Sequence, residues 1–470
     1  MKNWVKLSTV VMLSFILLAV PVHASGVSVT IQGEQEELTY GDQMESIMRT
    51  ILDKYLDSDE VSAQSLYEAA MEGMFNSLDK FSTYIPADNS TTYTNGLNNT
   101  YVGIGVQLIQ EGDYVTVTRV FFDGPAEGAG LIVHDRIIGV NGESIIGFTP
   151  QEAANKIIGD IGTEVVLTID RSGYIFDVAI LRGTVVINAI DQLDIKTVAP
   201  ELEEAITSKI GYLKIESFTN GVDDELKPIL SQYKAEGKTH LLLDLRDNGG
   251  GYVDAAVNVL DMLVPDGPVL RFINNEGREI VYRSNNTSVD FEIVALINDN
   301  SASATEFVAA SIQETGTGVL VGETTYGKGV AQYLHEQPDG AIVKLTQEAF
   351  YTGNNVAIHG IGVVPDILVE IPDYLTKAAK YHHGEQYPEV VQVEEILTYL
   401  GYEVNAPDEI YDWKTFKAVE QFQADQELYP YGVCDFGTQD ALNRALIEAV
   451  RENDVQLNKA IETIRLMVAK

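Results

Sequence analysis

Cysteine is nearly missing from this chain of 470 residues. Cys434 stands alone, so no internal disulfide can form and no thiolate cluster can hold a metal. The one close histidine pair, His382-His383, sits in a polar stretch that suits a solvated loop better than a metal site. No metal and no other cofactor is expected. Basic residues are outnumbered, 31 Lys and Arg against 70 Asp and Glu, which leaves a formal net charge of -39. Such an acidic surface repels phosphate, which excludes nucleic acid as a partner, and also an anionic membrane held through basic patches. Solubility is what the surplus supplies.

Long apolar runs are lacking after the N-terminus. The first residues carry Lys2 and Lys6, an apolar run over 10–22, and Val22-His23-Ala24, the pattern of a secretory signal (1–24) cleaved after Ala24. An uncleaved anchor is the other reading of the same run. Both place the remainder at an extracellular, cell-wall or extracytoplasmic membrane position. A chain of this length is expected to hold about three domains.

Residues 42–78 are helical in pattern, with Ile47, Ile51, Tyr55, then Leu66, Ala70, Met74 at three- and four-residue steps, and the region 35–97 reads as a helical arm. Ser77-Leu78-Asp79-Lys80 and Ser231-Gln232-Tyr233-Lys234 match Ser-x-x-Lys of penicillin-recognising enzymes but lack its Ser-Asp-Asn and Lys-Thr-Gly partners. From 101 to 181 the texture turns to strands, over 102–108, 114–120, 136–140 and 164–170, with a helix near 150–158. Further on, strands over 210–215 and 240–245 bracket a helix over 223–236, a β-α-β alternation. Strands over 293–297 and 318–321 follow.

Three turns in this second half carry chemistry. Arg246-Asp247-Asn248-Gly249-Gly250-Gly251 opens a helix after a strand; Asp254 stands where a dinucleotide fingerprint needs its third glycine. Its N–H groups either stabilise developing negative charge or simply allow a tight turn. Ser301-Ala302-Ser303-Ala304-Thr305-Glu306 follows the 293–297 strand, and its tiny residues either leave the Ser303 hydroxyl accessible as a nucleophile or merely cap a helix over 305–314. In Tyr326-Gly327-Lys328-Gly329-Val330-Ala331-Gln332, small neighbours allow Lys328 to be buried. Burial lowers a lysine pKa from about 10.4 toward neutrality and makes a usable base. A solvated loop lysine is the plainer alternative. Gln332 is placed to orient the amine by a hydrogen bond.

Gly124-Pro125-Ala126-Glu127-Gly128-Ala129-Gly130-Leu131 followed by Asp135-Arg136-Ile137-Ile138-Gly139-Val140-Asn141-Gly142 resembles a PDZ domain (98–183). Val102, Gly103, Ile104 and Gly105 stand where such a domain binds a peptide carboxylate. Together with the three turns and Gly360-Ile361-Gly362-Val363-Val364-Pro365-Asp366, this resembles the carboxy-terminal processing peptidases, or tail-specific proteases, of the S41 serine peptidase family, over about 42–370. The resemblance implies a multidomain α+β and α/β protein: a helical arm, a PDZ domain, and a ClpP/crotonase-like protease core (184–375). It implies a serine endopeptidase with Ser303 as nucleophile, Lys328 as general base, Gln332 beside them, and an oxyanion hole of Gly250 and Ala304. No histidine is needed. Arg171 is the candidate contact between PDZ and catalytic domains. Thr305 stands where the family often has Ser.

The segment 385–450, with Leu400-Gly401-Tyr402 and Phe422-Gln423, resembles a three-helix peptidoglycan-binding module; a helical oligomerisation tail is the alternative. The final helix, 451–470, is expected to pack on a second subunit, giving a homodimer. The expected partners are polypeptides with a free C-terminus, and peptidoglycan. The rival reading is an inactive scaffold that binds peptide tails and cell wall.

Overall fold

The computed structural model describes residues 39–469 except 99, 122, 123, 172, 187 and 377. The expected signal segment and the start of the expected helical arm lie outside the described residues. The arm is two helices rather than one. α1 (Tyr40–Lys54) starts on a capping box in which Thr39 and Asp42 satisfy each other's backbone, and it buries no side chain. A 3₁₀ turn at Ser58–Glu60 separates it from α2 (Ala63–Phe75). Beyond it come β1 (Thr83–Ile85) and α3 (Ala87–Leu97).

The strand expected over 102–108 is two strands in two sheets. β2 (Thr100–Gly103) ends where Gly105 turns at φ +82, and β3 (Val106–Glu111) leads away into a six-stranded sheet. That sheet continues with β4 (Tyr114–Val120), the short α4 (Pro125–Gly128), β5 (Arg136–Val140), β6 (Glu143–Ser144), α5 (Pro150–Ile157), β7 (Glu164–Arg171) and β8 (Tyr174–Leu181). Its order is β3-β4-β5-β7-β8, with β6 beside β5, so β3 is an edge. Alternate residues Val165, Leu167 and Ile169 are fully buried with Val115, Val117 and Ile137, which gives this sheet a core of its own. β9 (Gly183–Val186) returns antiparallel to β2.

The second half is built on β10 (Ile190–Leu193), α6 (Ile195–Val198), α7 (Glu204–Thr207), β11 (Ile210–Ile215), α8 (Val222–Ala235), β12 (His240–Asp244), α9 (Val253–Leu263), β13 (Gly267–Asn274), β14 (Glu279–Ser284), β15 (Glu292–Ile297), α10 (Ala304–Glu314) and β16 (Gly318–Gly322). β17 (Val330–Glu336), β18 (Ile342–Thr352) and β19 (Ile367–Leu368) complete it. The central sheet runs β10-β11-β12-β15-β16-β19, parallel from β11 onward. Parallel strands covered on both faces read as unbroken apolar runs, and β12 is buried at every position. Leu241, Leu243, Ile293 and Ala295 face α8, α9 and α10, while Leu242, Val294 and Leu296 face the other way.

The motif at 360–366, part of the family resemblance, forms a turn: Gly360 and Gly362 take φ of +74 and +80, and only Ile367–Leu368 join the sheet. An unforeseen antiparallel sheet, β1-β18-β13-β14 with β17 on β18, stands beside the parallel one. After α11 (Val390–Tyr399), α12 (Trp413–Asp425) and α13 (Phe436–Glu452), which share one buried cluster, α14 (Val455–Val468) packs on this chain's own sheet. Its Ala460, Ile461 and Ile464 fill the face made by Leu242, Val294 and Leu296, so they are not available to a second subunit.

Candidate active site

β12 and β15 are adjacent and parallel, so the turns leaving their carboxyl ends meet, the usual place for a site in such a sheet. The first turn depends on missing side chains. A Cβ on Gly250 would stand 2.8 Å from the Ala302 carbonyl oxygen and 2.9 Å from Ser303 Cβ, and Gly250 takes φ +103. Asn248, fully buried, fixes the turn: its Nδ2 donates to the Ile215 carbonyl at 2.9 Å, and its carbonyl accepts from Ala302 N–H and Thr305 Oγ1. Its Oδ1 accepts the Gly250 N–H at 2.9 Å. The amide expected to hold an oxyanion is therefore already engaged, and it is Gly249 and Gly251 that line the adjoining cavity.

The second turn carries its hydroxyls on strained backbone. Ser301 Oγ donates to Leu245 O at 2.8 Å and receives Asn298 N–H at 3.0 Å, which makes it a brace. Ser303 sits at φ 58, ψ -117 as the N-cap of α10, a conformation that costs a side-chain-bearing residue about 1–3 kcal/mol. Ala304 is the first residue of α10, so its N–H has no acceptor within the helix.

Glu306 joins this turn to the next. Fully buried, it accepts four hydrogen bonds: Thr325 Oγ1 at 2.6 Å and Gly327 N–H at 2.7 Å on Oε1, Lys328 N–H at 2.8 Å and Ser303 N–H at 2.7 Å on Oε2. One carboxylate oxygen thus holds the backbone nitrogens of both Ser303 and Lys328. Four donors offset the cost of burying its charge. Sequence reasoning missed it. The available signal was a lone acid inside an otherwise small and apolar helix start.

Lys328 and Ser303 line one cavity of about 220 Å³, with Tyr93 and Leu97 of α3 and the apolar Phe307 and Phe350 on its walls. The Lys328 ammonium lies 5.2 Å from the centre of the Phe81 ring. Burial, helped by the like charge of Lys344, brings its pKa down to about 8, against the opposite pull of Glu306 and Asp79. Lys344 lines the same cavity.

Gln332 also lines it, but its amide is turned elsewhere. Nε2 donates to Thr346 Oγ1 at 3.1 Å, and Thr346 Oγ1 donates to Asp79 at 3.1 Å. Gln332 and Thr346 are register partners across β17 and β18, so their side chains share a face, and a bulge between Ala331 and Gln332 sets that register. The expected bond to the Lys328 amine is not what the amide makes.

Arg171 needs a larger correction. It makes a two-pronged contact with the buried Asp135, Nε to Oδ1 at 2.7 Å and Nη2 to Oδ2 at 2.8 Å, and reaches the Gly130 carbonyl. That hydrogen bonding raises its pKa. It is spent inside its own sheet. One link from this sheet to the central one is Arg119 on β4, paired with Asp191 on β10 at 2.8 Å. In the expected carboxylate loop, Val102 and Gly103 pair with Thr184 and Gly183 of β9. Ile104 is buried, and its carbonyl and that of Gly105 accept Ala126 and Phe121 N–H. The free edge of β3 begins directly after, with α5 packed beside it. Among the described residues no His, Cys, Asp or Glu grouping is able to hold a metal, and no helix is long and apolar enough to cross a membrane.

Comparison with known families matches residues 209–369 to peptidase family S41, 116–171 to the PDZ domain and 386–442 to a putative peptidoglycan binding domain. The chain is 30% identical over 472 residues to the carboxy-terminal processing protease CtpA of Bacillus subtilis (strain 168), covering 96% of this chain and 98% of that one. It is 29% identical over 414 residues to a probable CtpA-like serine protease of Staphylococcus epidermidis (strain ATCC 35984), covering 86% and 82%. Among solved structures, the photosystem II D1 C-terminal processing protease aligns with 72% of this chain and 95% of its own at 24% identity and a TM-score of 0.44.

Proposed function

The chain belongs to peptidase family S41 as a carboxy-terminal processing serine protease, and from that premise we propose that Ser303 and Lys328 form its Ser–Lys dyad. The observation that carries this is the single Glu306 oxygen that binds the backbone of both residues beside one cavity. With a pKa near 8, Lys328 is in good part neutral at mildly alkaline pH and takes the Ser303 Oγ proton as the oxygen attacks the scissile carbonyl. The resulting ammonium gives that proton to the leaving amine, and water then releases the acyl-enzyme by the same route. Ala304 N–H receives the oxyanion, with the glycine turn opposite; Gly250 contributes once Asn248 releases its N–H. Gln332 acts through Thr346 and Asp79 on the wall facing the lysine, as a positioning residue.

The PDZ segment, taken as 98–183, feeds this centre. A substrate tail adds as a strand to the open edge of β3, its carboxylate at the Ile104-Gly105 turn. α3, which precedes β2, supplies Tyr93 and Leu97 to the catalytic cavity and so connects the two sites. The C-terminal module places the enzyme at the cell wall, outside the cytoplasm. The test is digestion of an unfolded protein with a free C-terminus by wild type, Ser303→Ala and Lys328→Met. Wild type should cleave and both variants should fall by at least about 10⁴-fold. Equal cleavage by all three would overturn the dyad.

A further inference from the structure

The C-terminal module carries aromatic rings beyond its core, with Phe416 packed against that core beneath them. That core is closed by Val393, Leu397, Tyr411, Phe422 and Leu442, all fully buried. Outside it, Trp413 is 57% exposed and Tyr429 81% exposed. Trp413 and Phe416, one turn apart on α12, stack with centroids 5.1 Å apart and planes 10° apart. The His383 ring stands edge-on to both, at 5.4 Å and 6.0 Å, and Lys417 Nζ lies 5.1 Å from the Trp413 ring centre.

The surface continues into the loop 429–433. A Cβ on Gly432 would meet the Phe416 ring at 2.3 Å, so the backbone lies flat on that ring and sets Tyr431 and Tyr429, themselves 5.9 Å apart, next to it. The loop is rigid because the fully buried Gln423 holds it: Oε1 accepts Tyr431 N–H at 3.0 Å and Gly432 N–H at 2.9 Å, and Nε2 donates to Val433 O and Thr438 Oγ1. Tyr431 Oη is fixed by Asp435. Large rings held out into water by a buried scaffold bring apolar area to a partner at low entropic cost.

We propose that Trp413, Tyr429 and Tyr431, with Phe416 as the support beneath them, form a stacking platform for the sugar rings of a glycan strand. This rests on the reading of 386–442 as a wall-binding module. Pyranose rings offer flat C–H faces to aromatic faces and keep their hydroxyls at the rim, where His383 and the tyrosine hydroxyls stand. Charge narrows the occupant further. The platform's cation, Lys417, is paired with Glu420, and Asp412 and Asp435 flank it. That rim, on a chain of net charge -39, disfavours an acidic polymer and equally a second copy of itself.

The chain has two tryptophans, Trp4 and Trp413, so the full-length Trp4→Phe protein reports on the platform alone. Uncharged β-1,4-linked N-acetylglucosamine oligomers are titrated while Trp413 emission is followed, and binding to insoluble sacculi is measured by sedimentation with Trp413→Ala and Tyr429→Ala. The expected result is a saturable emission change, with sacculus affinity down about tenfold in the first variant and severalfold in the second. Peptidase activity on a soluble unfolded substrate should be unchanged, which also shows that both variants fold. Wild-type sedimentation with sacculi that neither variant weakens would overturn the platform and leave the wall-binding reading standing. No sedimentation of the wild type would remove both. A change of oligomeric state in Trp413→Ala would assign the surface to a second copy instead.

Discussion

The turns that follow β12 and β15 lie against each other, yet the first contains three consecutive glycines and the second none. Gly250 and Gly251 reach φ values of +103 and +144 without steric cost, and they bring backbone N–H groups and carbonyls but no side chain. Ser303 adopts φ 58 with a side chain attached, and the strain is tolerated because Glu306, Thr305 and Ser301 bind the turn from three directions. A serine nucleophile, the role proposed for Ser303, needs its side-chain oxygen, so that position cannot be glycine. An anion cradle needs only amides, so its turn can. The pair divides the work according to what each backbone is able to carry.

Moving a side chain from one turn to the other breaks the comparison most severely. Gly250→Ala drives a methyl into the Ala302 carbonyl and Ser303 Cβ and should lower kcat/KM by about 10³-fold or more, since a displacement of about 1 Å at the nucleophile already costs about 10²-fold. Full activity would mean that the turns are not in working contact. Glu306→Gln keeps the shape but puts an NH₂ where an acceptor stood. The expected loss is about 10²-fold in kcat and about 3 kcal/mol of stability in denaturant titration, the usual scale for breaking a buried charged network. A change in KM alone would show that Glu306 does not position the dyad.

Ser303→Gly runs the other way. It removes activity but relieves the positive φ, and should stabilise the fold by about 1 kcal/mol relative to Ser303→Ala; a less stable glycine variant would deny the strain. The smallest effect belongs to Lys344→Met. In the proposed dyad the base is neutral Lys328, so activity should rise with pH through about 8, and removing a neighbouring positive charge raises that pKa. The midpoint of the kcat/KM profile should therefore move to higher pH; no movement would separate Lys344 from the lysine's titration.

What the sequence revealed was chemistry carried by residue type. Small residues around Ser303, glycines around Lys328 and the triple glycine are needed locally, so the local string shows them. Glu306 and Asn248 were invisible for the opposite reason. Their distant partners lie 19 to 22 residues away for Glu306 and 33 to 57 for Asn248, and nothing in the string says which backbone will arrive there. The same holds for Arg171, whose position at the end of a strand was legible while its partner, Asp135, was not. The antiparallel sheet went unseen because β13, β14 and β18 keep one face half-wet, so their alternation is weak beside the unbroken apolar runs of β12 and β15. For α14 the expected second-subunit contact failed because nothing in the local string says that its apolar face covers this chain's own sheet.

That destination bears on how the enzyme is assembled. Arg246, in the glycine turn's first position, binds Asp244 behind it and Asp454 at the start of α14, and Gln456 donates to the Val369 carbonyl. The strands from β11 to β16 emerge from the ribosome well before the helix that covers them, so one side of the sheet stays open to water until the C-terminal module has been made. Closing so long a loop is entropically costly and slow relative to local contacts. The glycine turn is thus clamped by a segment made 208 residues after it, and a half-made chain holds Ser303 and Lys328 before it holds the scaffold that braces the turn beside them.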